Sequence, residues 1–241
     1  MIHSAILLAA GRGKRQRPYT DVTPKPLLEF HGRATLDYVL RAVAKAGVER
    51  VCIVTNHLEE KIFEYVGGGS KWNLSAAFAH QSELRGNGDA LLAVPKEWIQ
   101  DEPVMVVATD YILEENSLLE LVEAYEQRGA DIVMSLKECL MEELTARSSV
   151  EVDSNWQVKR IIEKPKRDEI MRMSPYAASI LFIFPFAIWE YLQNVKLSPR
   201  GEIEMQSAVQ KMIEDGYKAF GLLQPAPQEW TPEFIEKVER S

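Results

Sequence analysis

The sequence ILLAAGRGKR at residues 6–15 indicates the fold class of this chain. Its apolar half is typical of a short buried strand, and Gly11 and Gly13 indicate a turn directly after it. A helical pattern over residues 35–46 and a second apolar run at residues 51–54 follow. Together they form a β-α-β unit, which predicts parallel strands covered by helices.

The same alternation continues along the chain. Further strands are predicted at 75–79, 104–108, 131–137, 150–152, 158–162, 177–184 and 219–223, and further helices at 59–66, 89–98, 118–128, 186–194, 204–214 and 232–239. No repeat or long linker divides the sequence. We therefore expect one α/β domain over residues 1–241, a three-layer α/β/α sandwich with a mostly parallel, twisted, Rossmann-like central sheet.

Composition narrows the range of functions. The chain is 46% hydrophobic and 27% charged with a net charge of -8, which argues against binding to nucleic acid or to an anionic membrane. The two cysteines, Cys52 and Cys139, form no CxxC motif and suggest neither a disulfide framework nor a zinc site. We predict a cytoplasmic protein with no membrane segment, and homo-oligomerisation is left open.

The turn after the first strand has the chemistry of an anion site. Glycines let backbone N–H groups approach phosphate oxygens closely. Positive charge is supplied by Arg12, Lys14, Arg15 and Arg17. The P-loop pattern GxxxxGK[ST] is absent, and Gln16 stands where the dinucleotide fingerprint requires its third glycine. The loop therefore predicts phosphate binding of another type.

Two neighbouring motifs specify that type. LLAAGRGKRQRPYT at residues 7–20 and TPKPLL at residues 23–28 together resemble the opening of the sugar-1-phosphate nucleotidylyltransferase family. The resemblance continues with Gln81 five residues before Gly86, Asp110 after the central strand, EKP at residues 163–165 and RGEIE at residues 200–204. It covers about residues 1–215.

The resemblance implies the nucleotide-diphospho-sugar transferase fold and its reaction. A phosphate oxygen of a sugar 1-phosphate attacks the α-phosphorus of a nucleoside triphosphate, and pyrophosphate leaves with the help of Mg²⁺ or another divalent cation. Residues 1–140 would mainly bind the nucleotide and residues 141–241 the acceptor.

The same resemblance assigns roles to individual residues. Arg15 and Lys25 would be catalytic, steadying the pyrophosphate and the α-phosphate. The nucleotide would contact Leu8, Ala9, Ala10, Gly11, Gly13, Gln81, Gly86 and Asn87. The acceptor would contact Asp89, Glu163, Lys164 and Ser179. Asp110 would hold the metal ion, with Glu229 as a candidate second ligand.

The chain also departs from the family pattern. Lys14 replaces a hydroxyl residue, Thr109 and Ser179 replace glycines, and Gln228 and Ser207 stand where aspartates are usual. These departures keep two alternatives open. One is a cytidylyltransferase that acts on a non-sugar phosphate such as phosphocholine, a phosphonate or inositol phosphate. The other is a regulatory protein that binds a nucleotide or sugar phosphate without catalysis.

Overall fold

The computed structural model describes residues 1–239; residues 240 and 241, the end of the predicted domain, lie outside the described residues. The strands are β1 Ser4–Leu8, β2 Glu29–Phe30, β3 Arg33–Ala34, β4 Arg50–Thr55, β5 Ser75–His80, β6 Val104–Ala108, β7 Tyr111–Ile112, β8 Ile132–Glu138, β9 Ser148–Val152, β10 Val158–Glu163, β11 Tyr176–Phe184, β12 Ala219–Leu223 and β13 Gln228–Glu229. The α-helices are α1 Thr35–Lys45, α2 Glu59–Val66, α3 Asn87–Leu92, α4 Lys96–Ile99, α5 Ser117–Arg128, α6 Ile188–Gln193, α7 Met205–Glu214 and α8 Pro232–Glu239.

A nine-stranded mixed sheet forms the centre of the molecule. Strands β6, β1, β4 and β5 lie side by side and are parallel, and β12 is parallel to β8. The long strand β11 runs antiparallel to β6, β8 and β9. Seven of the nine strands therefore share one direction, and only β10 and β11 oppose it. The predicted mostly parallel sheet is confirmed.

Two hydrophobic clusters cover the two faces of this sheet. Side chains of β1 point alternately into the two clusters. Leu7 packs with α1 and α5 on one face, and Ile6 packs with α3, α6 and α7 on the other. Helices thus lie on both sides, as the three-layer prediction requires. No helix in residues 1–239 is long and apolar enough to cross a bilayer.

Strand β11 contains an irregularity that matters for the site. Its first part pairs with β9 and its second part with β6, and its register against β8 shifts between Ala178 and Phe182. Ser179 and Ile180 lie within this shift. The bulge therefore falls where β11 changes partner, beside the carboxyl end of β6.

One predicted helix differs in the structure. The pattern over residues 89–98 predicts a single helix, but α3 ends at Leu92 and α4 begins at Lys96. Pro95 adopts an extended backbone (φ -60°, ψ 132°) and has no N–H to donate to the preceding turn. The helix prediction was wrong at this position because apolar periodicity continued across the proline.

Candidate active site

A cavity of about 700 Å³ opens over the carboxyl ends of the parallel strands. Its wall includes residues that follow β1, β4, β5 and β6, which is the edge where ligands bind in open α/β sheets. Eleven of the predicted site residues line it: Leu8, Ala9, Ala10, Gly11, Gly13, Arg15, Lys25, Gln81, Gly86, Asn87 and Asp110. The structure therefore brings the predicted nucleotide, catalytic and metal residues together.

The loop after β1 is held in shape by a buried threonine. Thr20 Oγ1 donates to the carbonyl of Gly13 at 2.7 Å. Gly13 has φ +58°, and a Cβ there would lie 2.6 Å from Thr20 Cγ2, so this position requires glycine. At Gly11, by contrast, a Cβ would meet no described atom within 4 Å. The backbone of Gly11 thus faces open space in the cavity.

Three of the four cations of the loop have no acidic partner among the described residues. Arg17 pairs with Asp21, but no ion pair within residues 1–239 involves the three other basic residues of the loop, all of which line the cavity: Arg12, Lys14 and Arg15. Positive charges repel one another, so three neighbouring cations of this kind are tolerated when water solvates them or when an anion binds between them.

Lys25 and Asp110 form an ion pair across the cavity floor. Lys25 Nζ donates to Asp110 Oδ2, and both side chains are largely buried. Thr35 Oγ1 brings their segments together because its single proton lies between two acceptors, the carbonyls of Pro26 (3.0 Å) and Thr109 (3.1 Å). The predicted catalytic lysine and metal-binding carboxylate are therefore direct neighbours.

The segment at Trp230, near the carboxyl end of the chain, forms a hydrogen bond to the backbone of Asp110. The Trp230 backbone N–H donates to the Asp110 carbonyl at 3.4 Å, and Trp230 Nε1 donates to the Glu29 carbonyl at 2.8 Å.

Next to Asp110, burial raises the pKa of Tyr111, and the Asp110 charge raises it further. The Tyr111 hydroxyl stays protonated and accepts a hydrogen bond from the Ile180 N–H.

Glu229 lies near Asp110 but has a partner of its own. Strand β13 pairs with β7, which places Glu229 opposite Tyr111. Glu229 Oε1 is 3.7 Å from Arg147 Nη1. Within residues 1–239 no group of three or more His, Cys, Asp or Glu side chains is arranged to hold a metal ion.

Gln81 is oriented by a buried carboxylate. Its Nε2 donates to Asp89 Oδ2 at 2.8 Å and to the Gly86 carbonyl at 3.1 Å. The other oxygen, Asp89 Oδ1, accepts from Arg85 at 2.9 Å, and this bond raises the pKa of the Arg85 guanidinium. Asp89 does not line the cavity. Its carboxylate sets the orientation of the glutamine amide, and the predicted contact of Asp89 with the acceptor stays a prediction.

The other predicted acceptor residues lie outside the cavity wall. Glu163 and Lys164 are neighbours at the end of β10, with Lys164 Nζ 3.6 Å from Glu163 Oε1. Ser179 is buried in the β11 bulge, and its hydroxyl has no hydrogen-bond partner among the described residues. Ile180 beside it does line the cavity. Acceptor binding by these residues stays a prediction.

Sequence reasoning missed how the RGEIE segment contributes. Ile203 N–H donates to the Arg85 carbonyl at 2.6 Å, and Gly88 N–H donates to the Ile203 carbonyl at 2.9 Å. This double contact places Glu202 in the cavity wall next to Gly86. Asn56, also missed, lines the cavity and donates from Nδ2 to the Gln81 carbonyl at 2.8 Å. Its position directly after strand β4 was the available signal.

This chain belongs to the nucleotidyl transferase family, whose sequence profile matches residues 4–230. The resemblance found in the motifs is thereby confirmed. Among curated relatives, the chain is 27% identical over 212 residues to a UTP–glucose-1-phosphate uridylyltransferase of Haloferax volcanii, covering 88% of this chain and 84% of that protein. It is also 27% identical over 219 residues to a glucose-1-phosphate thymidylyltransferase of Actinoplanes sp., covering 90% of this chain and 70% of that protein.

Other relatives are longer than this chain. A low-salt glycan biosynthesis nucleotidyltransferase of Haloferax volcanii is 27% identical over 213 residues, which cover 88% of this chain and 57% of that protein. Among solved structures, a UDP-glucose pyrophosphorylase complexed with UDP-glucose superposes with a TM-score of 0.85 at 20% identity, covering 100% of this chain and 98% of that one. This structure confirms the predicted fold.

Proposed function

We propose that this protein transfers a nucleoside monophosphate from a nucleoside triphosphate to a sugar 1-phosphate, releasing pyrophosphate and an NDP-sugar. The observation that carries the proposal is the convergence of the glycine-rich loop, Lys25 and Asp110 on one cavity. The named relatives, which are sugar-1-phosphate nucleotidyltransferases, support it.

Both reactants are anions, so the protein's main task is electrostatic. The loop cations and the backbone N–H groups near Gly11 and Gly13 receive the triphosphate, with Arg15 on the leaving pyrophosphate. Lys25 neutralises charge that develops on the α-phosphate. In-line attack then requires that the acceptor phosphate is held opposite the leaving group, which we assign to Lys164, while Glu163 accepts hydrogen bonds from the acceptor hydroxyls.

The residues of the cavity fit a divalent cation such as Mg²⁺. This ion prefers oxygen ligands, keeps several waters and binds through one or two carboxylates plus substrate phosphates. Asp110 supplies one carboxylate, and the triphosphate would supply the other oxygens. When bound, the ion neutralises phosphate charge. Because Asp110 lines the cavity and Glu229 does not, we assign the metal to Asp110 and leave Glu229 as the candidate second ligand.

The orientation of Gln81 discriminates among bases. Asp89 and the Gly86 carbonyl are both hydrogen-bond acceptors, so the amide nitrogen must face them. The amide oxygen remains for a ligand and accepts no hydrogen bond from a described residue. An oxygen acceptor pairs with the ring N–H of uracil, thymine or guanine. In the same position cytosine and adenine present an unprotonated ring nitrogen, and they would have to shift to offer their exocyclic amino group instead. This observation weighs against the cytidylyltransferase alternative.

We expect the protein to use UTP, dTTP or GTP in preference to CTP and ATP by about 100-fold in kcat/KM. With CTP or ATP, the Gln81 amide oxygen and the unprotonated ring nitrogen of the base would both be acceptors, and the buried Gln81 oxygen would lack a hydrogen bond. Asp89→Asn should reduce this preference to about ten-fold, since an asparagine amide lets Gln81 rotate. Glu83→Gln is the matched control because Glu83 pairs with the same Arg85 at 3.1 Å and does not bond to Gln81. Preference for CTP in the unmodified protein would refute the base assignment.

The proposed reaction is tested by pyrophosphate release with Mg²⁺. The panel contains the five nucleotides above, a set of sugar 1-phosphates and phosphocholine. Release that requires one nucleotide and one sugar 1-phosphate supports the proposal. Release only with phosphocholine would favour the non-sugar acceptor. No release with any acceptor, while calorimetry shows nucleotide binding, would favour a regulatory binding protein.

A further inference from the structure

A chain of four hydrogen bonds joins the nucleotide side of the molecule to the predicted acceptor carboxylate. It starts at the Met205 backbone N–H and runs through Asn87, Gln206 and Ser148 to Glu163. The Met205 N–H donates to Asn87 Oδ1 at 2.8 Å, and Asn87 Nδ2 donates to Gln206 Oε1 at 3.2 Å. Gln206 Nε2 donates to Ser148 Oγ at 2.9 Å, and Ser148 Oγ donates to Glu163 Oε2.

The direction of this chain is determined by its first link. A backbone N–H can only donate, so it requires the oxygen of the Asn87 amide and turns the Asn87 nitrogen toward Gln206. The Gln206 oxygen must then face Asn87, and its nitrogen must face Ser148. The Ser148 hydroxyl oxygen accepts a hydrogen bond from Gln206, so its own proton must be donated to a different acceptor. Its proton therefore goes to Glu163.

Gln206 is buried at 1% exposure, and Ser148 at 8%. Buried polar groups of this kind are stabilising when every member has a partner and costly when one partner is removed. Glu163 is only 14% exposed, and one of its oxygens is occupied by Ser148. The other oxygen, Oε1, is thus the one directed to Lys164 and to a ligand.

We propose that Gln206 is a positioning residue that orients the Glu163 carboxylate toward the acceptor. Gln206 also connects this carboxylate to Asn87, which lines the cavity proposed to bind the nucleotide. The proposal rests on the proposed function, because it requires Glu163 to bind the acceptor. The first turn of α3 then serves both substrates: Asp89 orients Gln81 for the base, and Asn87 connects to the acceptor carboxylate.

Steady-state kinetics of Gln206→Met tests the proposal, because methionine keeps similar volume and removes both the donor and the acceptor. We expect the KM for the sugar 1-phosphate to rise about ten-fold, and the KM for the nucleotide to change by less than about two-fold. The matched control is Gln210→Met. Gln210 lies one turn further along α7 and accepts from the Ile161 N–H on β10 at 2.9 Å, without contacting Glu163. This control should leave both KM values unchanged.

A double-mutant cycle separates positioning from general destabilisation. If Gln206 acts through Glu163, Gln206→Met should not raise the acceptor KM further in a Glu163→Ala background, which has no acceptor for Ser148. Ser148→Ala breaks the same chain and should show the same dependence, which covers the case that Gln206→Met does not fold. Additive effects, or equal losses for both substrates, would overturn the assignment while the proposed function stands. Absence of turnover in the unmodified protein would overturn both.

Discussion

Asp110→Asn should lower kcat/KM by about a thousand-fold while leaving nucleotide binding measurable. Asparagine preserves the size of the side chain and removes its charge, so it loses the ion pair with Lys25 and the proposed contact to a cation. Loss of one preorganised electrostatic group in a closed site typically costs about 100- to 1000-fold in rate, and metal coordination adds to it. The measurement is pyrophosphate release at saturating Mg²⁺.

The control for this prediction is Glu229→Gln. Because Glu229 does not line the cavity, we expect this change to lower kcat/KM by less than about ten-fold. Calorimetry of the nucleotide without metal should show similar affinity for the unmodified protein and for Asp110→Asn, since the loop backbone is untouched. Near-normal turnover by Asp110→Asn would exclude a metal role for this carboxylate. A loss in Glu229→Gln as large as in Asp110→Asn would identify Glu229 as the second ligand.

Gly86→Ala should weaken nucleotide binding by about 10- to 100-fold. Gly86 has φ +98° and ψ -177°, a region that is essentially restricted to glycine and costs other residues about 1–3 kcal/mol. An added Cβ would also lie 2.8 Å from the Ile203 carbonyl oxygen and 3.1 Å from Glu202 Cβ. The loop must move away from the RGEIE segment, and it carries with it the carbonyl that holds Gln81.

Gly216→Ala is a suitable control for the strain. Gly216 also has φ +98°, but a Cβ there would meet no described atom within 4 Å. It should lower thermal stability slightly and leave the dissociation constant for the nucleotide, measured by calorimetry, unchanged. If both variants bind the nucleotide as the unmodified protein does, the contact between Gly86 and the RGEIE segment has no part in binding.

The phosphate loop was predictable because its determinants are local. Gly11, Gly13 and the neighbouring cations lie within a few residues of a strand end, and a strand followed by such a turn constrains the backbone by itself. Asp110 was predictable for the same reason, since it lies two residues after the end of the buried strand β6. The cavity confirms that these residues meet.

The role of Asp89 was not predictable, because it depends on contacts that sequence spacing does not show. Asp89 is on the buried side of α3, where it bonds to Gln81 across a loop, and the RGEIE segment reaches the same loop from more than 110 residues away. The break at Pro95 and the bulge in β11 were missed because apolar periodicity continued through both. Tertiary pairing, not local pattern, determines these features.

Trp230 has a practical consequence for any preparation of this protein. It connects Glu29 and Asp110 from a segment that follows the last strand of the main sheet, and it packs edge-on against Tyr19 at 5.4 Å. A proteolytic cut between β12 and Trp230 would leave both hydrophobic clusters intact and would separate the segment that carries Trp230 from the sheet. Such material would give a folded circular dichroism spectrum but would lack the contacts of Trp230 to Asp110 and Glu29, so absorbance alone would overestimate the concentration of intact protein.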